Sequence, residues 1–233
     1  MIKLGSRAIA QLAMLEYASR KLGYLNNDFV FLGGCAAALF ITDPASPDVR
    51  STMDVDCIVD VLSLNDYYQL EKKLHTQGFR KSQDVICRWH YDDLILDVMP
   101  TKEQILGFSN LWYKEAINNF TTHQLADDIF IRTVTAPYFL GTKIEAFKTR
   151  GRTDFMTSHD FEDIIAVIDG RVELIEEIKN SNSSLRKYLS DFFSTILLKD
   201  DFHAALPGHL NYGSVTHGRT QIVLHRIKEI CES

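Results

Sequence analysis

Sulfur, proline and positive charge are all scarce in this chain. The 233 residues hold four cysteines and five prolines, and 25 basic residues face 31 acidic ones, for a net charge of −6. Cys35, Cys57, Cys87 and Cys231 form no CxxC pair, which leaves a disulfide framework or a zinc site without support; three of them sit inside apolar runs and read as buried free thiols. No apolar run approaches the ~18 residues that span a bilayer, so no membrane partner is expected. The opening MIKLGSRAIAQLAMLEY carries Arg7 and Glu16 within a helical pattern and lacks the order of a secretory leader, so a cytoplasmic location is the expectation. An acidic chain does not coat nucleic acid through bulk charge; any such contact needs a local basic patch. There is no internal repeat, no GxSxG nucleophile motif, and no helical metal pair among His203, His209, His217 and His225. Trp89 and Trp112 read as core or groove walls rather than a base-stacking platform.

What is present is an ordinary globular composition, 45% hydrophobic and 24% charged, enough for a packed core. The pattern predicts a helix over 6–22, a short strand over 29–32 running into Gly33-Gly34, and a small buried helix over 35–41. Further strands are expected at 54–59, 85–91, 94–99 and 129–134, with a helix over 65–75. The Asp92-Asp93 pair reads as a tight turn. From Ala136 onward the segments 136–150, 159–168, 172–179, 185–198 and 215–230 all look helical. Strands mixed with helices, followed by helices alone, predict an α+β fold in two parts, 1–135 and 136–233.

The chemistry concentrates in MDVDCIVDV. Asp54 and Asp56 are two apart on an expected strand, so both carboxylates leave the same face while Val55 and Cys57 face the core. Two like charges side by side on a half-buried strand repel, and a bound cation is a natural counterweight. Asp97, in LILDVMP, sits on another expected strand with Leu96 and Val98 facing the other way. Converging hard carboxylates suit magnesium, with a substrate phosphate completing its shell. Gly33-Gly34 permits a positive-φ turn in which bare backbone approaches phosphate, but without a third glycine it is no dinucleotide fingerprint.

With these residues in place, the chain resembles the nucleotidyltransferase superfamily, the DNA polymerase β-like fold, whose pattern is a Gly-Gly or Gly-Ser turn, an Asp-x-Asp strand and a third Asp on a later strand. Gly33-Gly34, Asp54/Asp56 and Asp97 match in order. GGCAAALF followed by RSTMDVDCIV is similar to the AbiEii/AbiGii-type toxin branch. GTKIEAFKTRGRTDFMTSHDFEDI is similar to that branch's second signature, matched by Lys143, Arg150, Asp160 and Asp163. The likeness covers roughly 29–168. It implies a mixed sheet with flanking helices and then a helical half, with Mg2+ held by Asp54, Asp56 and Asp97. It also implies an NTP bound by Gly33, Gly34, Arg50, Ser51, Lys143, Arg150, Asp160 and Asp163, with Lys143 counted among the catalytic residues. The expected reaction transfers a nucleoside monophosphate to an acceptor. RNA, a tRNA end included, is the acceptor implied, with an antitoxin protein as partner; a small molecule, a protein, or nucleotide binding without catalysis are the alternatives. Two departures from the pattern stand out. The gap from Gly34 to Asp54 is long, with Asp43 to Pro47 as the insertion, and Gly34 stands where many members have Ser. For Lys143 and Arg150, seven apart on one helix and joined by Lys148 and Arg152 in one basic concentration, a solvated face is the plainer reading. For Asp160 it is a capping box with Thr157.

Overall fold

Alternating burial along DVDCIV fixes the architecture: Asp54 and Asp56 are half-buried while Val55 and Cys57 are fully enclosed. The computed structural model describes residues 5–46, 48–150, 154–210 and 216–233. Cα packing divides the chain into a sheet unit, Ser6–Ala38 with Ser51–Thr135, and a helical unit built mainly from Leu39–Arg50 with Ala136–Ser233.

The sheet unit opens with α1 (Ser6–Leu22), a 3-10 turn, β1 (Phe29–Leu32) and the single turn α2 (Gly33–Ala36). It resumes with β2 (Asp54–Val59), α3 (Leu64–Thr76), β3 (Arg80–Lys81), β4 (Arg88–Tyr91) and β5 (Leu94–Pro100). Two short helices, α4 (Glu103–Leu106) and α5 (Tyr113–Ala116), precede the hairpin β6 (Phe120–Ala126) and β7 (Ile129–Val134). The seven strands form one mixed sheet in the order β3-β4-β5-β2-β1-β7-β6. The pairs β2–β5 and β1–β7 are parallel and the remaining neighbours antiparallel. Ser63 starts α3 by accepting from the Asp66 amide at 3.2 Å and donating to its carboxylate at 2.8 Å. From α3, His75 stacks edge-on to Trp89 at 5.1 Å, sealing one sheet face.

The helical unit contains α6 (Ala136–Arg150), α7 (His159–Gly170), α8 (Leu174–Lys179), α9 (Ser183–Ile196), α10 (Asp200–His209) and α11 (Thr216–Cys231). Phe147, Phe155, Phe161 and Phe202 form a chain of ring contacts through its core. The segment 39–50 is bound into this unit by polar contacts. The amides of Thr42 and Asp43 both donate to the Gly170 carbonyl at 2.8 Å. Arg219, buried, donates to Asp169 and Asp43, each at 2.7 Å. A side chain at residue 170 would press on the ends of the Ile41 and Ser46 side chains, which close over this position.

The expected α+β fold, with a helical second half, is the observed one. Several elements differ in detail. The strand expected from Val85 begins at Arg88, because Ser82 accepts from the Asp84 and Val85 amides and holds 82–87 in turns. β6 was outside the expected set: its TTHQ stretch is polar and largely exposed, as an edge strand allows. Helix α10 also escaped the pattern, with Pro207 inside it. The expected 35–41 helix starts at Gly33 and tightens to 3-10 geometry at Ala37. Among the described residues no helix is long and apolar enough to cross a membrane.

Candidate functional site

One row of the sheet runs Arg88 (β4), Asp97 (β5), Asp56 (β2), Leu32 (β1), each paired in register with the next. Two residues along, a second row runs His90, Ile95, Asp54. Paired residues in adjacent strands share a face. Arg88, His90, Asp97, Asp54 and Asp56 therefore project on the side opposite Trp89, Leu96, Val98, Val55 and Cys57, all of which are fully enclosed. The structure thus brings together the three carboxylates that the sequence singles out.

Each carboxylate has its own restraint. Thr52 donates to Asp54 Oδ1 at 2.8 Å. Arg88 grips Asp97 through Nε to Oδ1 and Nη2 to Oδ2, both 2.8 Å, and reaches Asp54 Oδ2 at 3.2 Å. Asp56 lies against the turn at Gly33, where φ is +73° and any methyl group would overlap its carboxylate. Glycine is required here twice, by conformation and by space.

The electrostatics follow from this arrangement. The Asp97 carboxylate raises the Arg88 pKa above its ordinary value, keeping the guanidinium charged. Burial pushes the Cys35 and Cys57 thiols up, and Asp56 adds to both effects. Neither thiol is a nucleophile near neutral pH.

Three carboxylates on one face, two of them directly paired, beside a turn with no side chain, are hard oxygen donors of the type magnesium takes. Among the described residues, however, no three potential ligands stand close enough to hold a metal ion. Asp54 and Asp97 turn toward Arg88, while Asp56 lies against Gly33.

Arg88 was not singled out in the sequence, yet its position follows from the hairpin. Asp92, at φ +49°, forms a two-residue turn with Asp93. Counting back from the Tyr91–Leu94 pair places Arg88 opposite Asp97.

The second group of expected residues lies in the helical unit. Lys143, buried on α6, contacts Asp160 at 2.9 Å and Asp163 at 2.7 Å. Arg50 also binds Asp163, with Nε at 2.8 Å and Nη2 at 2.9 Å. Asp163 is fully enclosed, and burial alone would push its carboxyl up; Lys143 and Arg50 outweigh burial and hold it below its ordinary value. The expected Thr157 cap is corrected: Ser158 accepts from the Phe161 amide, while Thr157 donates to Asp154. Asp160 is left to pair with Lys143. Arg150, the last residue of α6, and Ser51, ahead of β2, are exposed; Gly34 is buried. Arg152 lies outside the described residues.

No protein-family model and no curated protein matches the chain. Its fold is similar to that of JHP933 from Helicobacter pylori, with a TM-score of 0.52 and 11% identity, over 99% of this chain and 94% of that one. A second H. pylori structure, provisionally described as a nucleotidyltransferase, aligns with a TM-score of 0.47 and 11% identity over 98% of this chain and 96% of that one. At such identity the first likeness is one of fold.

Proposed function

We propose that this chain is a nucleotidyltransferase that moves a nucleoside monophosphate from an NTP to an acceptor hydroxyl. The observation that carries this reading is the in-register pairing of Asp56 with Asp97, on the same face as Asp54 and beside the Gly33 turn. The acceptor oxygen bonds to the α-phosphorus, and the α–β anhydride bond breaks. Pyrophosphate leaves with the electron pair, and the acceptor proton passes to Asp97 or to water. Bound magnesium would polarise the α-phosphate and lower the pKa of the attacking hydroxyl. Asp54 and Asp56 orient the donor, Asp97 faces the acceptor, and the bare backbone of Gly33 and Gly34 admits the triphosphate. Lys143 and Arg150 are proposed as donors to that triphosphate, on the strength of the sequence resemblance. The same resemblance supports RNA as acceptor and a toxin-like role with an antitoxin partner.

One observation favours a second reading, nucleotide binding without transfer: Arg88 neutralises Asp97 and Asp54 within the chain itself. A single experiment separates the two. The protein is incubated with each α-labelled NTP, Mg2+ and total RNA, in parallel with Asp56→Asn. Label on RNA with pyrophosphate release, lost in the variant, supports transfer to RNA. Pyrophosphate release with label on a small molecule or protein changes the acceptor only. NTP binding with no pyrophosphate release on any acceptor sinks catalysis and leaves the binding module.

A further inference from the structure

Three phenylalanine rings of the helical unit border a hollow that they do not fill. Phe147 on α6, Phe155 between α6 and α7, and Phe192 on α9 are all buried, yet with Ile196 they line an open pocket of about 390 Å3. Phe147 meets Phe155 at a ring-centroid distance of 5.3 Å and stands at 81° to Phe192, 6.2 Å away, so the rings form a corner rather than a stack. Side chains that face a gap forgo the dispersion contacts that a filled core provides, and an apolar group entering the corner recovers them. A volume of this size falls within the roughly 300–1,000 Å3 of small-molecule sites, which are apolar and aromatic with a few placed polar groups.

Two lysines supply the charge. The Lys148 ammonium lies 4.2 Å from the Tyr188 ring centroid and 5.6 Å from that of Phe192, and it donates to the Tyr188 hydroxyl at 3.0 Å. The Lys199 ammonium lies 5.6 Å from the Phe155 centroid. Glu145 stands off Lys148 at 3.7 Å, and among the described residues Lys199 has no carboxylate partner. Asp191, the acid of the lining, is held by Lys187 at 2.9 Å. A lysine stem laid over an aromatic ring is by itself an ordinary way to cover apolar surface. Covering the rings needs no hollow between them, so that role does not account for the pocket.

We infer that this hollow is a binding site for a small amphipathic anion, an aromatic or branched aliphatic group that fills the corner and carries one carboxylate neutralised by Lys148 and Lys199. The lining holds two lysines and one aspartate, a balance that suits a single negative charge and not a triphosphate. The site shares no residue with the carboxylates of the sheet unit, and the inference stands whether or not the chain transfers nucleotides.

The test titrates the full chain with 2-naphthoate, a planar aromatic carboxylate, and with 2-naphthalenemethanol, its uncharged analogue, by isothermal calorimetry. Two variants accompany the wild type, each checked for folding by thermal melting. Lys148→Met with Lys199→Met keeps both apolar stems and removes both charges. Thr195→Trp, at an exposed position of α9 in the lining, fills the hollow. The wild type is expected to bind 2-naphthoate saturably and more tightly than the alcohol. The double lysine variant is expected to bind 2-naphthoate about tenfold more weakly, the sum of two partly exposed ion pairs, with the alcohol unaffected. Thr195→Trp is expected to bind neither. No saturable binding of 2-naphthoate by the wild type overturns the inference, and so does binding that Thr195→Trp leaves intact, because the ligand then sits elsewhere. An affinity for 2-naphthoate that survives loss of both lysines overturns the assignment of an anion. A dimer in sedimentation that Thr195→Trp dissolves gives the hollow to a second copy of the chain and overturns the inference as well.

Discussion

The carboxylate of Asp56 occupies the space that a side chain on residue 33 would fill. The two positions are 23 apart in sequence but meet where β1 ends, beside the Leu32–Asp56 pair. Gly33→Ala therefore carries two costs. The positive φ costs roughly 1–2 kcal/mol in any residue with a Cβ, and the methyl forces Asp56 off its position. We expect a lowered melting temperature and a loss of pyrophosphate release well beyond what the stability change explains. Steady-state assays at a temperature where the variant remains folded provide the check.

Asp97→Asn and Asp56→Asn are expected to separate folding from chemistry. Both should reduce nucleotidyl transfer by about a hundredfold or more, as losses of transition-state charge stabilisation do. Asp97→Asn also loses a charge-assisted fork with Arg88 and should lower stability by about 1–2 kcal/mol, discounted for partial exposure. Urea denaturation of each variant, set beside its turnover number, measures the two effects independently.

The buried carboxylates of the helical unit titrate in opposite senses. Burial pushes Asp163 up, but Lys143 and Arg50 more than offset it, so its folded pKa lies below the ordinary 3.8. Its contribution to stability is present above the unfolded value and is lost as pH falls through the lower folded value. For Asp169 burial prevails over Arg219 and Arg226, and its pKa is raised. Its contribution is complete below 3.8 and declines as pH rises through the raised value. Urea midpoints measured across pH should show Asp163→Asn removing part of the acid-side loss below about pH 4, and Asp169→Asn removing part of the decline above it. Asp163→Ala, which removes the buried carboxylate shared by Lys143 and Arg50, should cost about 3–5 kcal/mol at neutral pH.

Thiol reactivity offers a test of the packing. Cys35, Cys57 and Cys87 are buried. Burial, then Asp97, pushes the Cys87 thiol up to about 11. Cys231 is only partly covered. Maleimide should label one site rapidly in the native protein, Cys231 by peptide mapping, and all four only after denaturation. Rapid native labelling of Cys57 would contradict the enclosed sheet face.

The sequence made one half of this site readable and concealed the other. Alternation along DVDCIV was sufficient to send Asp54 and Asp56 to one face, because strand periodicity is a local property. The hairpin through Asp92-Asp93 is local too, and counting from it reaches Arg88; RWHY alone looks like any half-buried strand beside a core tryptophan. The pairing of Asp56 with Asp97 is different. It joins parallel strands across an intervening helix and hairpin, and nothing nearby in the chain sets that register. Arg50 was grouped with the nucleotide-binding residues by its place before Asp54, yet its guanidinium is held by Asp163, 113 residues later. A contact so distant in sequence leaves no periodic trace. β6 escaped because a solvated edge strand needs no apolar alternation.

The residues that bind Gly170 and Arg219 are encoded between the two stretches of the sheet unit, so the helical unit is not a single contiguous cassette. A gene fragment beginning at Ala136 would leave Arg219 without Asp43, and the Gly170 carbonyl without its two amide donors. Recombination or cloning that treats the second half as a portable module would separate a strap from the bundle it fastens. Exchange between related proteins would succeed only where both pieces travel together.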